Sequence, residues 1–250
     1  MSVVERRELA LQLLNAAAAK AKRTGNVSFP PGFISGMDGR RAPLAQLIQG
    51  GRGGEVRLKL YLCITMMATS APYDLRATPT PNLWARLLAL PSDTGPRRVS
   101  NNLKWLHDNH YISLRPRPGL PAMITLLSAH GDGGDYVRAS EMRRYVGVPV
   151  ELWTKGWLLD LTPTGLALLF ILLELQGGYK EPRYVPRYRR ESYGLSSDTW
   201  TRARKELEQY GLLTVRRIPQ GGDFDYRRLR NTYWIDVDRL KLSPDLRTAQ

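Results

Sequence analysis

The side chains best placed to do chemistry are polar groups at helical spacing: Asp198, Thr201, Arg202, Lys205 and Gln209. At about 100° per residue they share one face, and Trp200, Ala203, Leu207 and Tyr210 share the opposite one. Guanidinium, ammonium, amide and hydroxyl groups in such a row can hydrogen-bond base edges and phosphates. Ser196 or Ser197 is placed to cap the helix, whose free N–H groups can also receive a phosphate. A solvated amphipathic face would carry the same pattern. The flanks favour an anion: Arg216 and Arg217 follow on a strand, and Arg227, Arg228 and Arg230 lie across a Gly-Gly turn from them.

A fainter row of the same kind precedes it. On a helix from Pro96 to Asn109, Val99, Leu103, Leu106 and His110 are expected to face inward, leaving Arg97, Asn101, Lys104 and Asp108 outward, with Arg98 and Asn102 flanking. Arginine with guanine and asparagine with adenine are geometric matches. Trp105 also falls toward the outside, which predicts a cover from another domain, from the N-terminal helix or from a partner chain. A turn RPRPGLP follows, stiffened by proline, with Arg115 and Arg117 available to phosphate. Further on, EPRYVPRYRRESYGL offers Arg187, Arg189 and Arg190 to a nucleic-acid backbone. The interleaved Tyr184, Tyr188 and Tyr193 also suit stacking on single-stranded bases, although some are expected to complete a core.

Covalent and metal chemistry find little support. His107 and His110 share a helix side without a cysteine or carboxylate cluster at ligand spacing, and His130-Gly-Asp-Gly-Gly-Asp135 lacks the alternating ligands and terminal Glu of a calcium loop. Neither a Walker-type glycine loop nor a nucleophile elbow occurs. Tyr188, between two arginines, is the nearest candidate nucleophile. The expectation is a protein that is not an enzyme and takes no cofactor or metal.

Composition agrees with recognition of a polyanion. The 250 residues carry 37 Lys and Arg against 23 Asp and Glu, a formal net charge of +14. Cys63, the only cysteine, sits in the apolar run LYLCITMMA, so no intrachain disulfide can form and a cytoplasmic, nucleoid-associated location is expected. The N-terminus places Glu5, Arg6, Arg7 and Glu8 where a signal peptide needs its apolar core. The greasiest run, Leu166 to Leu175, is too short to span a bilayer and reads as a core helix with Thr162 as N-cap and Pro163 at its first position. No membrane partner is expected.

The elements that must position the polar rows form a cassette that occurs twice, from Leu90 to Ser128 and from Leu195 to Asp236. Leu106 aligns with Leu207, Ile112 with Leu213, Ser113 with Thr214 and Arg115 with Arg216. The predicted organisation is an N-terminal helix within 1–28, an irregular connector over 29–54, a first domain over 55–128, a linker over 129–150, a second domain over 151–240 and a tail over 241–250. The fold class is mainly α with small antiparallel β hairpins, an α+β arrangement.

A basic helix followed by a strand, a turn and a second strand is the core of a winged helix-turn-helix. VPVELWTKGWLLDLTPTGLALLFILLELQ, followed by YGLSSDTWTRARKELEQYGLLTV, resembles tandem winged-helix DNA-binding proteins of the kind common in actinobacteria. More loosely, the chain resembles plasmid replication initiators built from two winged helices. The resemblance implies two winged domains in tandem, binding double-stranded DNA, as a sequence-specific transcriptional regulator, with control of a mobile element as one role it would fit. An initiator that binds origin repeats is the alternative, and a winged-helix protein-interaction module a third. A homodimer or other protein partner would dock through Trp105 or the N-terminal helix.

Overall fold

Ser2 starts the first helix as its sequence requires. Its hydroxyl accepts from Glu5 N, and the Glu5 carboxylate accepts from Ser2 N at 2.7 Å, the reciprocal bonds of a capping box. The computed structural model describes residues 2–36, 41–50, 52–75, 77–220 and 228–244. Along them run α1 (Val3–Lys20), β1 (Asn26–Phe29), α2 (Pro31–Ser35), α3 (Pro43–Leu47), α4 (Arg52–Met67), β2 (Asp74–Leu75), α5 (Pro81–Leu87) and α6 (Gly95–Asp108). Then come β3 (Ile112–Arg117), β4 (Leu120–Leu126), β5 (Val146–Pro149), α7 (Glu151–Thr154), α8 (Trp157–Asp160) and α9 (Pro163–Gln176). The last elements are β6 (Arg183–Tyr184), α10 (Arg187–Ser192), α11 (Ser197–Gln209), β7 (Leu213–Gln220) and β8 (Arg228–Ile235). Single 3-10 turns occupy Ala139–Glu141 and Asp238–Lys241. The fold is α+β, with small antiparallel sheets.

The repeat is visible in topology and in individual hydrogen bonds. The order helix, short strand, helix, helix, strand, strand is followed by α4-β2-α5-α6-β3-β4 and again by α9-β6-α10-α11-β7-β8. The sheets have matching orders, β2-β4-β3 and β6-β8-β7. Helices α6 and α11 end alike: His110 and Gly211 take φ of 63° and 68°, and the next N–H reaches back, Tyr111 to Leu106 O and Leu212 to Leu207 O, each at 2.9 Å. This left-handed C-terminal motif satisfies carbonyls that the helix leaves open, and it turns the chain directly into the following strand.

Outside the repeats the chain is more ordered than its glycines and prolines predict. The stretch expected as an irregular connector carries α2, α3 and the start of α4, with Phe33, Ile34, Leu44 and Leu47 buried. The expected linker supplies β5, which pairs antiparallel with β1 in the register Val27 to Val148. Helix α9 lies against β5, α2, α4, α11 and β8. It is apolar on all sides, from Leu166 to Leu173 without an exposed residue, as a central helix must be. Thr162 caps it by accepting from Gly165 N at 3.0 Å, and Gly177 ends it in the left-handed conformation. One apolar cluster runs through both repeats and includes Leu14 of α1. No described helix is long and apolar enough to cross a membrane.

Candidate nucleic-acid interface

Helix α11 is held from its inner side. Trp200, Ala203 and Leu207 are buried, and the Trp200 ring meets Tyr233 of β8 edge-on, 5.9 Å between centroids. The Glu206 carboxylate accepts from Thr162 N at 2.7 Å and from the Thr162 hydroxyl, which ties α11 to the first turn of α9. Gly165 permits this approach, because a Cβ there would collide with that carboxylate. These contacts fix the helix rotation, and the opposite face points outward.

Ser197, Asp198, Thr201, Arg202, Lys205 and Gln209 are all exposed, as their spacing predicts. Ser196 is the N-cap, accepting from Thr199 N at 3.2 Å. The Thr201 hydroxyl is engaged within the helix, donating to Ser197 O at 2.9 Å. Arg204 pairs with Glu208 at 3.5 Å on the flank. Beyond α11, Arg216 and Arg217 are exposed on β7, and Arg230 stacks over the Tyr184 ring at 4.6 Å. Arg227 lies outside the described residues. Arg228 opens β8, opposite Gln220.

Helix α10 divides its arginines between surface and interior. Arg187 is exposed and pairs with Glu191 at 2.8 Å. Arg189, expected at a phosphate, is half-buried and paired within the fold. It donates to the Tyr193 hydroxyl at 3.1 Å and to Glu174 at 3.2 Å, and the same carboxylate accepts from Tyr193 at 2.8 Å. Burial and the neighbouring carboxylate push the Tyr193 hydroxyl pKa up. Arg190 is half-buried, with its Nε enclosed. Tyr188 is 74 % exposed.

The first repeat presents a smaller polar face. Arg97, Asn101 and Lys104 of α6 are exposed, but Lys104 is paired with Asp108 at 2.9 Å. Arg98 is half-buried. Asn102, expected near the reading face, is buried, and its amide donates to Arg98 O at 2.8 Å. That bond back along the helix satisfies the amide and lets its stem join the core. On the hairpin, Arg115 is exposed and donates to the Thr125 hydroxyl at 3.2 Å. Arg117 folds back, with its Nε and Nη2 donating to Pro121 O at 2.9 and 2.7 Å.

Trp105 corrects the expected helix register. The inner arc of α6 is set by Gly95, Val99, Asn102 and Leu106, which rotates Trp105 onto the flank of its own core. Its ring lies near-parallel to Tyr111, 6.0 Å between centroids, with the Arg57 guanidinium over it at 3.6 Å. Its cover therefore comes from α4 and from the residue entering β3, both within the same repeat. His110, expected inside, is exposed just beyond the helix.

The remaining candidates lie apart. Cys63 is buried, and burial raises its thiol pKa far above the ordinary value. Among the described residues no group of three or more His, Cys, Asp or Glu side chains could hold a metal ion. Comparisons with family models, with curated proteins and with solved structures give no significant match to this chain.

Proposed function

We propose that each repeat is a winged helix and that the chain binds double-stranded DNA in a sequence-specific manner, as a transcriptional regulator. Helix α11 is the principal reading element, laid in a major groove, and the β7–β8 hairpin is a wing on the adjoining backbone. The observation that carries this reading is the separation of faces on α11. Trp200, Ala203, Leu207 and Glu206 anchor one side, while Arg202, Lys205 and Gln209 stand exposed together, with Arg216 and Arg217 following on β7. A formal charge of +14 supplies the attraction for a polyanion.

The first repeat then acts as a secondary contact, through Arg97, Asn101 and Arg115. Lys104 is drawn into an ion pair, Asn102 into the core and Arg117 into backbone bonds. Two unequal heads on one apolar core suit a single chain to an asymmetric site. The same feature favours a second reading, an initiator bound to direct repeats at an origin.

Selection from a randomised duplex library tests the proposal. A recovered consensus, bound at least about 10³-fold tighter than random duplex at physiological salt, supports specific recognition. Recovery of no consensus, with affinity that vanishes as salt is raised to physiological strength, rejects it.

A further inference from the structure

A mostly apolar opening lies where α1 crosses the first repeat. Helix α1 contributes Leu13 and Ala17, α4 Met67, β2 Leu75 and α5 Leu83 and Leu87, around about 300 Å³. That volume is at the lower end for small-molecule sites, which are mostly apolar with a few placed polar groups. Alanines on α1 leave the space open where larger side chains would close it. Among the described residues Lys20 and Asp74 are the charged side chains lining it, and Asp74 is not free but already engaged in an interaction. Lys20 is exposed in the last turn of α1, and no ion pair engages it among the described residues.

We propose that this groove binds a small amphipathic monocarboxylate, with its apolar body between α1 and α5 and its carboxylate on the Lys20 ammonium. The apolar lining selects a hydrocarbon or aromatic body. The Lys20 ammonium at the rim, without an ion pair among the described residues, selects an anionic over a neutral head. The groove also touches the reading machinery of the first repeat. Its wall strand β2 pairs with β4, Leu75 opposite Ile124, and its wall helix α5 packs against α6. A filled groove therefore stiffens the support of α6. This last consequence rests on the DNA-binding reading, whereas binding of the carboxylate does not.

The test is calorimetric titration of the whole chain with octanoate and with octanol, without DNA. The expected result is saturable octanoate binding that weakens about fivefold in Lys20→Gln, with octanol weaker and indifferent to that change. Ala17→Leu, which extends into the groove, should abolish binding with the far-ultraviolet spectrum unchanged. If it perturbs folding, the Lys20→Gln comparison decides. Absence of saturable octanoate binding overturns the proposal, as does full-strength binding by folded Ala17→Leu. Equal binding of octanoate and octanol, unaffected by Lys20→Gln, overturns the carboxylate assignment. A duplex titration at saturating octanoate then reports the coupling separately, so loss of DNA binding and loss of ligand binding are read in different experiments.

Discussion

The Arg57 guanidinium lies over the Trp105 ring, 3.6 Å from its centroid, and the Tyr111 ring stacks near-parallel to the same indole, 6.0 Å between centroids. The aromatic group expected as an exposed docking anchor thus packs within its own repeat, against Arg57 of α4 and Tyr111 at the entry of β3. Burial of an aromatic ring, with a cation held on its face, contributes to fold stability.

Trp105→Ala should accordingly destabilise the first repeat by about 2–4 kcal/mol, somewhat below a fully buried aromatic because the ring keeps some exposure. Urea unfolding followed by far-ultraviolet circular dichroism measures this. Unchanged stability with a change in oligomeric state would return Trp105 to the surface.

Why this was not legible in the sequence is instructive. Asn102 is polar, and a wheel that sends polar residues outward rotates α6 so that Trp105 follows. Its amide is satisfied by the Arg98 carbonyl, a local bond that no hydrophobic pattern records. Periodicity worked where side chains obeyed it: the reading of a core helix with Thr162 as N-cap and Pro163 at its first position matches α9. The two-residue strands β2 and β6 were too short for a period. The β1–β5 pair joins segments distant in the chain, and one sequence carries no sign of such pairing. Arg189 resembled its neighbours in type, and only the position of Glu174 on α9 separates it from them.

Glu206 and Gly165 should be coupled. Glu206→Ala removes the acceptor of Thr162 N and is expected to cost about 1–2 kcal/mol. Gly165→Ala drives a methyl group against that carboxylate, so its cost should shrink in the Glu206→Ala background. A double-mutant cycle by chemical denaturation reads the coupling, and strict additivity would mean that the two positions do not meet.

Arg189→Ala and the double variant Arg216→Ala/Arg217→Ala should separate stability from affinity. The first strips the charged partner from the buried Glu174 carboxylate, leaving it the Tyr193 hydroxyl, and should cost about 1–2 kcal/mol of stability, less than a fully buried pair because Arg189 is partly exposed. Its salt dependence of duplex binding should match wild type. The second should leave folding intact and lower the salt slope by about 1–2. An Arg189→Ala protein with wild-type stability and a reduced slope would place Arg189 on the phosphates.

Alkaline pH should weaken the fold in a defined window. Burial pushes the Tyr111 and Tyr136 hydroxyls up to about 12 each, with nearby Arg57 and Arg23 respectively opposing the shift. In the unfolded chain a tyrosine ionises near ~10, so above that pH the unfolded chain has released protons that the folded chain still holds. The stabilisation is complete below about pH 10 and is lost as pH rises towards 12. Tyr111→Phe should flatten this fall. At neutral pH it should be close to neutral, because the Tyr111 hydroxyl is buried without a hydrogen-bond partner among the described residues. An equally steep fall in Tyr111→Phe would assign the alkaline transition elsewhere.

The central claim is that the exposed face of α11 reads DNA, and Arg202 stands in the middle of that face. The most direct measurement compares wild type and Arg202→Ala on the selected duplex and on random duplex, by fluorescence anisotropy at fixed salt. Loss of about 1–3 kcal/mol on the selected duplex, with relaxed preference at one base position and little change on random duplex, is the predicted result. Unchanged affinity for both duplexes would contradict it and remove α11 from the interface.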